Sequence, residues 1–206
     1  PWMEVVAQGF EAQGSVLLKR QLQAQTERLQ KLQQRLARPL PGLTVIRNVR
    51  WFDSEAAVMR GPSDISLYDA RISAIEPAGS SHREPAHTID GSGKALLPGL
   101  FDMHGHMSEE EGLFQLAAGV TSVRDPASHN DKMEALRAKI DAGILTGPRI
   151  QPMGFFEGRS PYSARFGFVV DSLDAAKDAV DWYAERGFIQ LKLYNSFKPE
   201  WVKPVA

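Results

Sequence analysis

From Pro98 onward the chain alternates short apolar strands with amphipathic helices, and this alternation constrains the fold more than any other feature. Consecutive parallel strands need a crossover, and a helix is what supplies it. The first strand lies within Leu100–His106. Ser108 and Glu111 have the spacing of a capping box that opens a helix with Leu113, Leu116 and Ala117 inward, and Gly119 follows its end. The strand Thr121–Arg124 comes next. Asn130 is placed to cap a second helix with Met133, Leu136 and Ile140 on one face and Gly143 as its stop, before the strand Arg149–Met153. A third helix, from about Asp174 to Arg186 and capped near Ser172, puts Leu173, Ala176, Val180 and Tyr183 on one side. Gly187 ends it and the strand Phe188–Tyr194 follows. The pattern predicts four strands with three intervening helices, and a fourth helix due where the sequence stops.

Upstream the texture differs. Leu18, Leu22, Gln25, Leu29, Leu32 and Leu36 recur at spacings of four and three, which aligns them along one stripe of a helix between Ser15 and Leu36. The stripe is too short and too interrupted for a coiled coil, so it reads as an amphipathic helix packed on its own protein. Arg38-Pro39-Leu40-Pro41-Gly42 ends it. Between Leu43 and Leu97 there are short β-type runs, 43–46, 65–68, 71–75 and 94–97, joined by turn-rich connectors. Three segments are therefore expected: 1–42 helical, 43–97 a small β domain, and 98–206 β/α.

Composition removes several function classes. With 24 basic against 25 acidic residues in 206, the net charge of -1 gives no footprint for nucleic acid or anionic lipid. No apolar run approaches the roughly 18 to 20 residues of a membrane span. The absence of cysteine rules out disulfides and thiolate zinc sites, so any metal must be held by nitrogen and oxygen. The opening Pro1-Trp2-Met3 implies processing, trimming or a fragment, and localisation is not readable from it.

Leu100-Phe101-Asp102-Met103-His104-Gly105-His106 carries the chemistry. A strand sends alternate side chains to one face, aligning Asp102, His104 and His106. Two imidazoles then converge, with Gly105 leaving the other face bare, and imidazole nitrogen suits zinc and similar divalent ions. The last strand gives a second candidate. Parity separates Ile189, Leu191 and Leu193 from Lys192, so if the aliphatics meet the helix layer the lysine points inward, where an uncompensated ammonium is costly. Tyr194 and Asn195, just beyond, are placed to line a pocket. Asp125 reads as a turn cap rather than a substrate contact, and His82, His87 and His129 read as solvated. Gly154–Phe168 reads as a long aromatic and basic loop of the kind that shapes substrate binding.

Several separated segments together resemble the amidohydrolase superfamily: Arg71-Ile72-Ser73-Ala74-Ile75, Ile89-Asp90-Gly91-Ser92-Gly93-Lys94 and Leu97-Pro98-Gly99-Leu100-Phe101-Asp102-Met103-His104-Gly105-His106. Gly119–Asp125, Gly147-Pro148-Arg149-Ile150 and Leu191-Lys192-Leu193-Tyr194 are similar to its imidazolonepropionase and prolidase-like branch. The resemblance runs from about Leu43 to the C-terminus and covers the N-terminal portion of such a protein. It implies an α/β fold: the first four strands of an incomplete TIM-type (β/α) barrel, preceded by a small β-sandwich-like domain and the N-terminal helix. It also implies that His104 and His106 bind a divalent metal, expected to be zinc, as one or two ions. Lys192 would be carboxylated by carbon dioxide to bridge metals, Asp102 would support the ligands, and Tyr194 would touch substrate.

The activity so implied is hydrolysis of an amide or other C–N bond, in a non-peptide or dipeptide substrate, by a metal-activated water. The superfamily's two later histidines and general-base aspartate are not in this sequence, and a full barrel takes about 250 residues. The chain by itself is therefore expected to be an inactive fragment, or to need its missing half from another chain. The alternative is a non-enzymatic half-barrel that binds or assembles, as an oligomer, through the N-terminal helix.

Overall fold

A computed structural model describes residues 8–206, so the opening Pro1-Trp2-Met3 lies outside the described residues. Two compact units appear. One is Ala37–Gly99; the other joins helix α1 (Gly14–Leu36) to Leu100–Ala206. Among the described residues no helix is long and apolar enough to cross a membrane.

The first unit is one five-stranded sheet rather than the two facing sheets of a sandwich. Strands β1 (Leu43–Asp53), β2 (Val58–Tyr68) and β3 (Arg71–Pro77) form an antiparallel meander, and β4 (His87–Asp90) and β5 (Ala95–Leu96) both pair parallel with β1. The β1–β2 hairpin is longer than the apolar runs predict, because mixed charged and apolar pairs such as Trp51 opposite Arg60 and Asp53 opposite Val58 continue its ladder. Register shifts on either side of Val49, next to Asn48 at φ 56°, break β1 into two pairing segments. Thr44–Arg47 then meets β4 and Arg50–Trp51 meets β5. One strand thus takes two partners along one edge, over a core of Ile46, Val49 and Ile65.

Asp64 pins the bulge. Its buried carboxylate accepts from Asn48 N–H at 3.0 Å, Arg47 Nη1 at 2.8 Å and Gly79 N–H at 3.1 Å. Burial pushes this carboxyl up, but the three donors and the Arg47 charge together hold it below its usual value. A lowered folded-state value means stabilisation that is present above the unfolded value of about 3.9 and lost as pH falls through the folded one. Melting of this unit followed against pH should therefore show loss of stability below about pH 4. An Asp64→Asn variant should be less stable at neutral pH and lose less on acidification.

In the second unit β6 (Leu100–Asp102), β7 (Val120–Asp125) and β8 (Arg149–Pro152) form one parallel sheet. Strands β10 (Phe168–Val170), β9 (Gly154–Gly158) and β11 (Leu191–Leu193) form a second, also parallel. Only Met153 separates β8 from β9. Its N–H donates to Asp125 O at 2.8 Å, on the β7 side, and the next N–H, of Gly154, donates to Gln190 O at 2.9 Å, just before β11. Helices α2 (Glu111–Ala117), α3 (Asn130–Asp141), α4 (Leu173–Glu185) and α5 (Pro199–Val205) complete the unit. The run Gly154–Gly158, expected as loop, is a fully buried strand whose Phe155 and Phe156 belong to the interior.

Capping agrees in part. Ser172 Oγ accepts from Ala175 N–H at 3.2 Å, as predicted for α4. Asn130 caps nothing, because Tyr183 claims its side chain: the tyrosine hydroxyl donates to Asn130 Oδ1 at 3.0 Å and accepts from Phe155 N–H at 3.1 Å. Ser108 Oγ donates to the Glu111 carboxylate and accepts from Glu110 N–H at 3.3 Å, but the residue at the start of α2 is Glu110, whose own side chain makes no cap.

Helix α1 packs on this unit. Leu29 is buried in a cluster with Met107, Val123, Met133, Leu136, Leu145 and Ile150, and Thr26 Oγ1 donates to Glu109. Burial of one leucine contributes about 2 kcal/mol, enough to seat the C-terminal half of a solvated helix. A second cluster holds Phe156, Tyr183, Trp201 and Val205, with Leu191 and Leu193 packed against it.

Candidate metal centre

Strand β6 ends at Asp102, so His104 and His106 are not aligned by strand parity, as the sequence suggests; they lie in the loop beyond it. Local hydrogen bonding does the work instead. Asp102 Oδ1 accepts from His104 N–H at 2.9 Å, forming an Asx turn, and Oδ2 accepts from Gln115 Nε2 at 3.1 Å. Gly105 N–H donates to Arg124 O at 3.1 Å, docking the loop on β7. A Cβ on Gly105 would come within 2.8 Å of both Asp102 Oδ2 and Val123 Cγ1, so the close approach needs glycine. The two imidazoles meet edge to face, with centroids 5.4 Å apart.

His106 Nδ1 lies 2.9 Å from Ala127 O. A carbonyl only accepts, so in the neutral ring Nδ1 carries the proton and Nε2 keeps its lone pair. That is the arrangement of a metal-binding imidazole, whose other nitrogen donates to a backbone carbonyl or carboxylate. The ring is half exposed, at 54%.

Lys192 stands at the centre of β11. Leu191 and Leu193 pack toward α4 and α5, which leaves Lys192 on the opposite face, as parity requires. Two neighbours of the strand depart from the expected pattern. Ile189 is 73% exposed and Phe188 is buried, because both precede β11 in the turn after α4, where Phe188 N–H donates to Tyr183 O. The Lys192 Nζ sits 5.1 Å from the Tyr194 ring centroid and 5.9 Å from that of Phe155. Among the described residues no carboxylate lies within ion-pair distance of it.

His106, Lys192 and Tyr194 line one cavity of about 450 Å³, together with Met107, Phe155 and Phe166. His104 stands beside His106 but outside that lining. His129 is the residue the sequence reading missed: it reads as solvated, yet it faces this cavity, 5.6 Å from the Phe166 ring. Its position right after the β7 end was the available signal, since parallel β/α folds gather their sites there. Asp125 is the turn cap predicted, accepting from Ala127 N–H at 3.0 Å and Ser128 Oγ at 2.8 Å. Among the described residues no three His, Cys, Asp or Glu side chains stand together as a metal-binding group. The imidazoles of His104, His106 and His129 and the amine of Lys192 are nitrogen donors in or beside this cavity. They fit a nitrogen and oxygen metal site provided that the amine supplies an oxygen.

No family model matches the chain. Over 124 residues it is 35% identical to the dihydroorotase of Thermus aquaticus, a match that covers 53% of the chain and 28% of the relative. Over 74 residues it is 35% identical to adenine deaminase 3 of Rhizobium meliloti (strain 1021), covering 35% of the chain and 12% of the relative. The chain thus spans less than a third of the length of these curated relatives. Its fold is shared with a solved bottromycin amidohydrolase at a TM-score of 0.66 and 20% identity, over 88% of the chain and 38% of that structure. The chain is thus similar in sequence, over the part the matches cover, to these two relatives, and it shares its fold with the amidohydrolase structure.

Proposed function

We propose that His104 and His106, in the loop after β6, and Lys192, in β11, form part of the metal centre of a hydrolase that acts on amide or other C–N bonds, at the start of a (β/α) barrel. The observation that carries this reading is the pair of groups on one cavity wall: His106, whose Nδ1–H is committed to Ala127 O, and Lys192, which has no carboxylate partner among the described residues. Divalent zinc, when bound, supplies an acidified water and polarises the scissile carbonyl. The two histidines would hold the ion through Nε2. Lys192 would serve as an oxygen ligand after its neutral Nζ adds to carbon dioxide: the new N–C bond gives a carbamate, and one proton leaves to water. The carbamate would turn a cation with no carboxylate partner among the described residues into an anionic oxygen donor whose charge the metal would balance.

Tyr194, Phe155 and Phe166 give the cavity apolar walls for the body of a small amide-type substrate, and Tyr194 can donate a hydrogen bond. The alternative role in assembly draws less support, because Leu29 of the α1 stripe is buried in its own unit, though Leu22 and Leu36 of that stripe stay exposed.

Zinc titration of the folded chain in ¹³C-bicarbonate tests the proposal. Stoichiometric zinc should bind with a labelled carbamate carbon that is absent from Lys192→Ala. A folded chain that takes up no zinc overturns the metal centre, and zinc binding without a carbamate overturns the role of Lys192.

A further inference from the structure

One buried carboxylate ties together the loops that follow β6 and β7. Asp125 is 1% exposed and uses both oxygens. Oδ1 accepts from Ala127 N–H at 3.0 Å, and Oδ2 accepts from Met107 N–H at 2.7 Å and Ser128 Oγ at 2.8 Å. A buried carboxylate persists where donors satisfy it, and here two of the three donors are backbone groups flanking the residues that matter. Met107 follows His106 in sequence, and Ala127 is the residue whose carbonyl His106 faces. The imidazole itself lies 3.7 Å from Asp125 Oδ1, too far for a hydrogen bond, while its Nδ1 is 2.9 Å from Ala127 O.

We propose that Asp125 is the positioning residue for His106: by holding Met107 N–H and Ala127 N–H on one carboxylate, it sets the Ala127 carbonyl against Nδ1. At that separation an unprotonated Nδ1 would face the carbonyl lone pair to lone pair, so the ring takes the Nδ1–H tautomer and turns a free Nε2 outward. Asp125 therefore does more than cap its own turn. It selects which nitrogen of a residue on another loop is available to a ligand. The use of that nitrogen by a metal rests on the proposed function, whereas the tautomer itself does not.

Heteronuclear NMR of the histidine rings in the metal-free chain tests this. In the unaltered protein His106 should be a single Nδ1–H tautomer; Nε2–H there overturns the proposal with no variant needed. In Asp125→Asn, which has one acceptor where two are required, and in Asp125→Ala, the ring should shift to a mixture with Nε2–H. Zinc affinity should fall by about 10-fold to 100-fold, the usual effect of losing a group that orients a ligand. Ser128→Ala, which removes only the third donor, should keep the tautomer. A folded Asp125 variant that loses stability but retains pure Nδ1–H reduces Asp125 to a structural cap and overturns the inference. Retention of the tautomer control together with no zinc uptake by the unaltered chain would instead sink the metal reading alone.

Discussion

Replacing His106 by alanine is expected to lower the zinc affinity of the chain by more than about 100-fold, beyond the range seen when only an orienting group is lost. The side chain is half exposed and its one strong protein contact is to Ala127 O, so its removal leaves little unsatisfied and the fold should persist. His106→Asn should not rescue binding, because an amide near Ala127 O presents its donor there but has no second nitrogen lone pair to offer. Calorimetric titration of zinc into the variant, beside a thermal melt, separates the two effects. Unchanged affinity in a folded His106→Ala chain would remove this residue from the site.

Gly158→Ala is expected to destabilise the β/α unit by about 3 kcal/mol or more, the upper range for forced overpacking. A Cβ at this position would lie 1.7 Å from Ser196 O and 2.3 Å from Ser196 C. The obstacle is backbone, and it is tied down. Ser196 N–H donates to Glu157 Oε1 at 2.7 Å, and Tyr194 N–H donates to Phe156 O at 2.8 Å, so Ser196 cannot retreat without breaking the joint between β9 and the end of β11. Glu157 is itself buried, and a retreat of Ser196 would strip a donor from its carboxylate. Gly143→Ala is the contrast. It has a φ of +69° and nothing within 4 Å of the added carbon, so only the left-handed strain of about 1 kcal/mol applies. Urea denaturation of both variants should separate them clearly, and a Gly158→Ala chain as stable as Gly143→Ala would show that β9 and β11 are not joined this closely.

How much of this was legible beforehand depends on the distance over which each feature is determined. The alternation of strands and helices after Pro98 is local, and β7, α3 and α4 stand where the pattern puts them, while β11 keeps only Leu191–Leu193 of the expected Phe188–Tyr194. Lys192 was legible for the same reason, since Leu191 and Leu193 flank it on the helix-facing side. Strand parity does not bring the histidines together; the Asp102 turn and the bare Gly105 do, after the strand has ended. Glycine at both ends and a glutamate inside make Gly154–Gly158 resemble a loop in sequence although it is a buried strand. Its burial is dictated by Tyr183 and Ser196, residues far along the chain. Asn130 illustrates the same limit, for its local capping propensity yields to a distant tyrosine hydroxyl. His129 lies in a polar sequence that resembles a solvated turn, and only the packing of Phe166 makes that segment a cavity wall.

The claim on which the rest depends is that one cation is shared by residues from the two ends of this β/α run. Diffraction from zinc-soaked crystals, recorded on both sides of the zinc absorption edge, tests it directly. An anomalous peak is expected within bonding distance of His104 and His106 Nε2 and of an oxygen on a carboxylated Lys192. A peak elsewhere, or an unmodified Lys192 ammonium resting on the Tyr194 ring while the histidines stay empty, would contradict it.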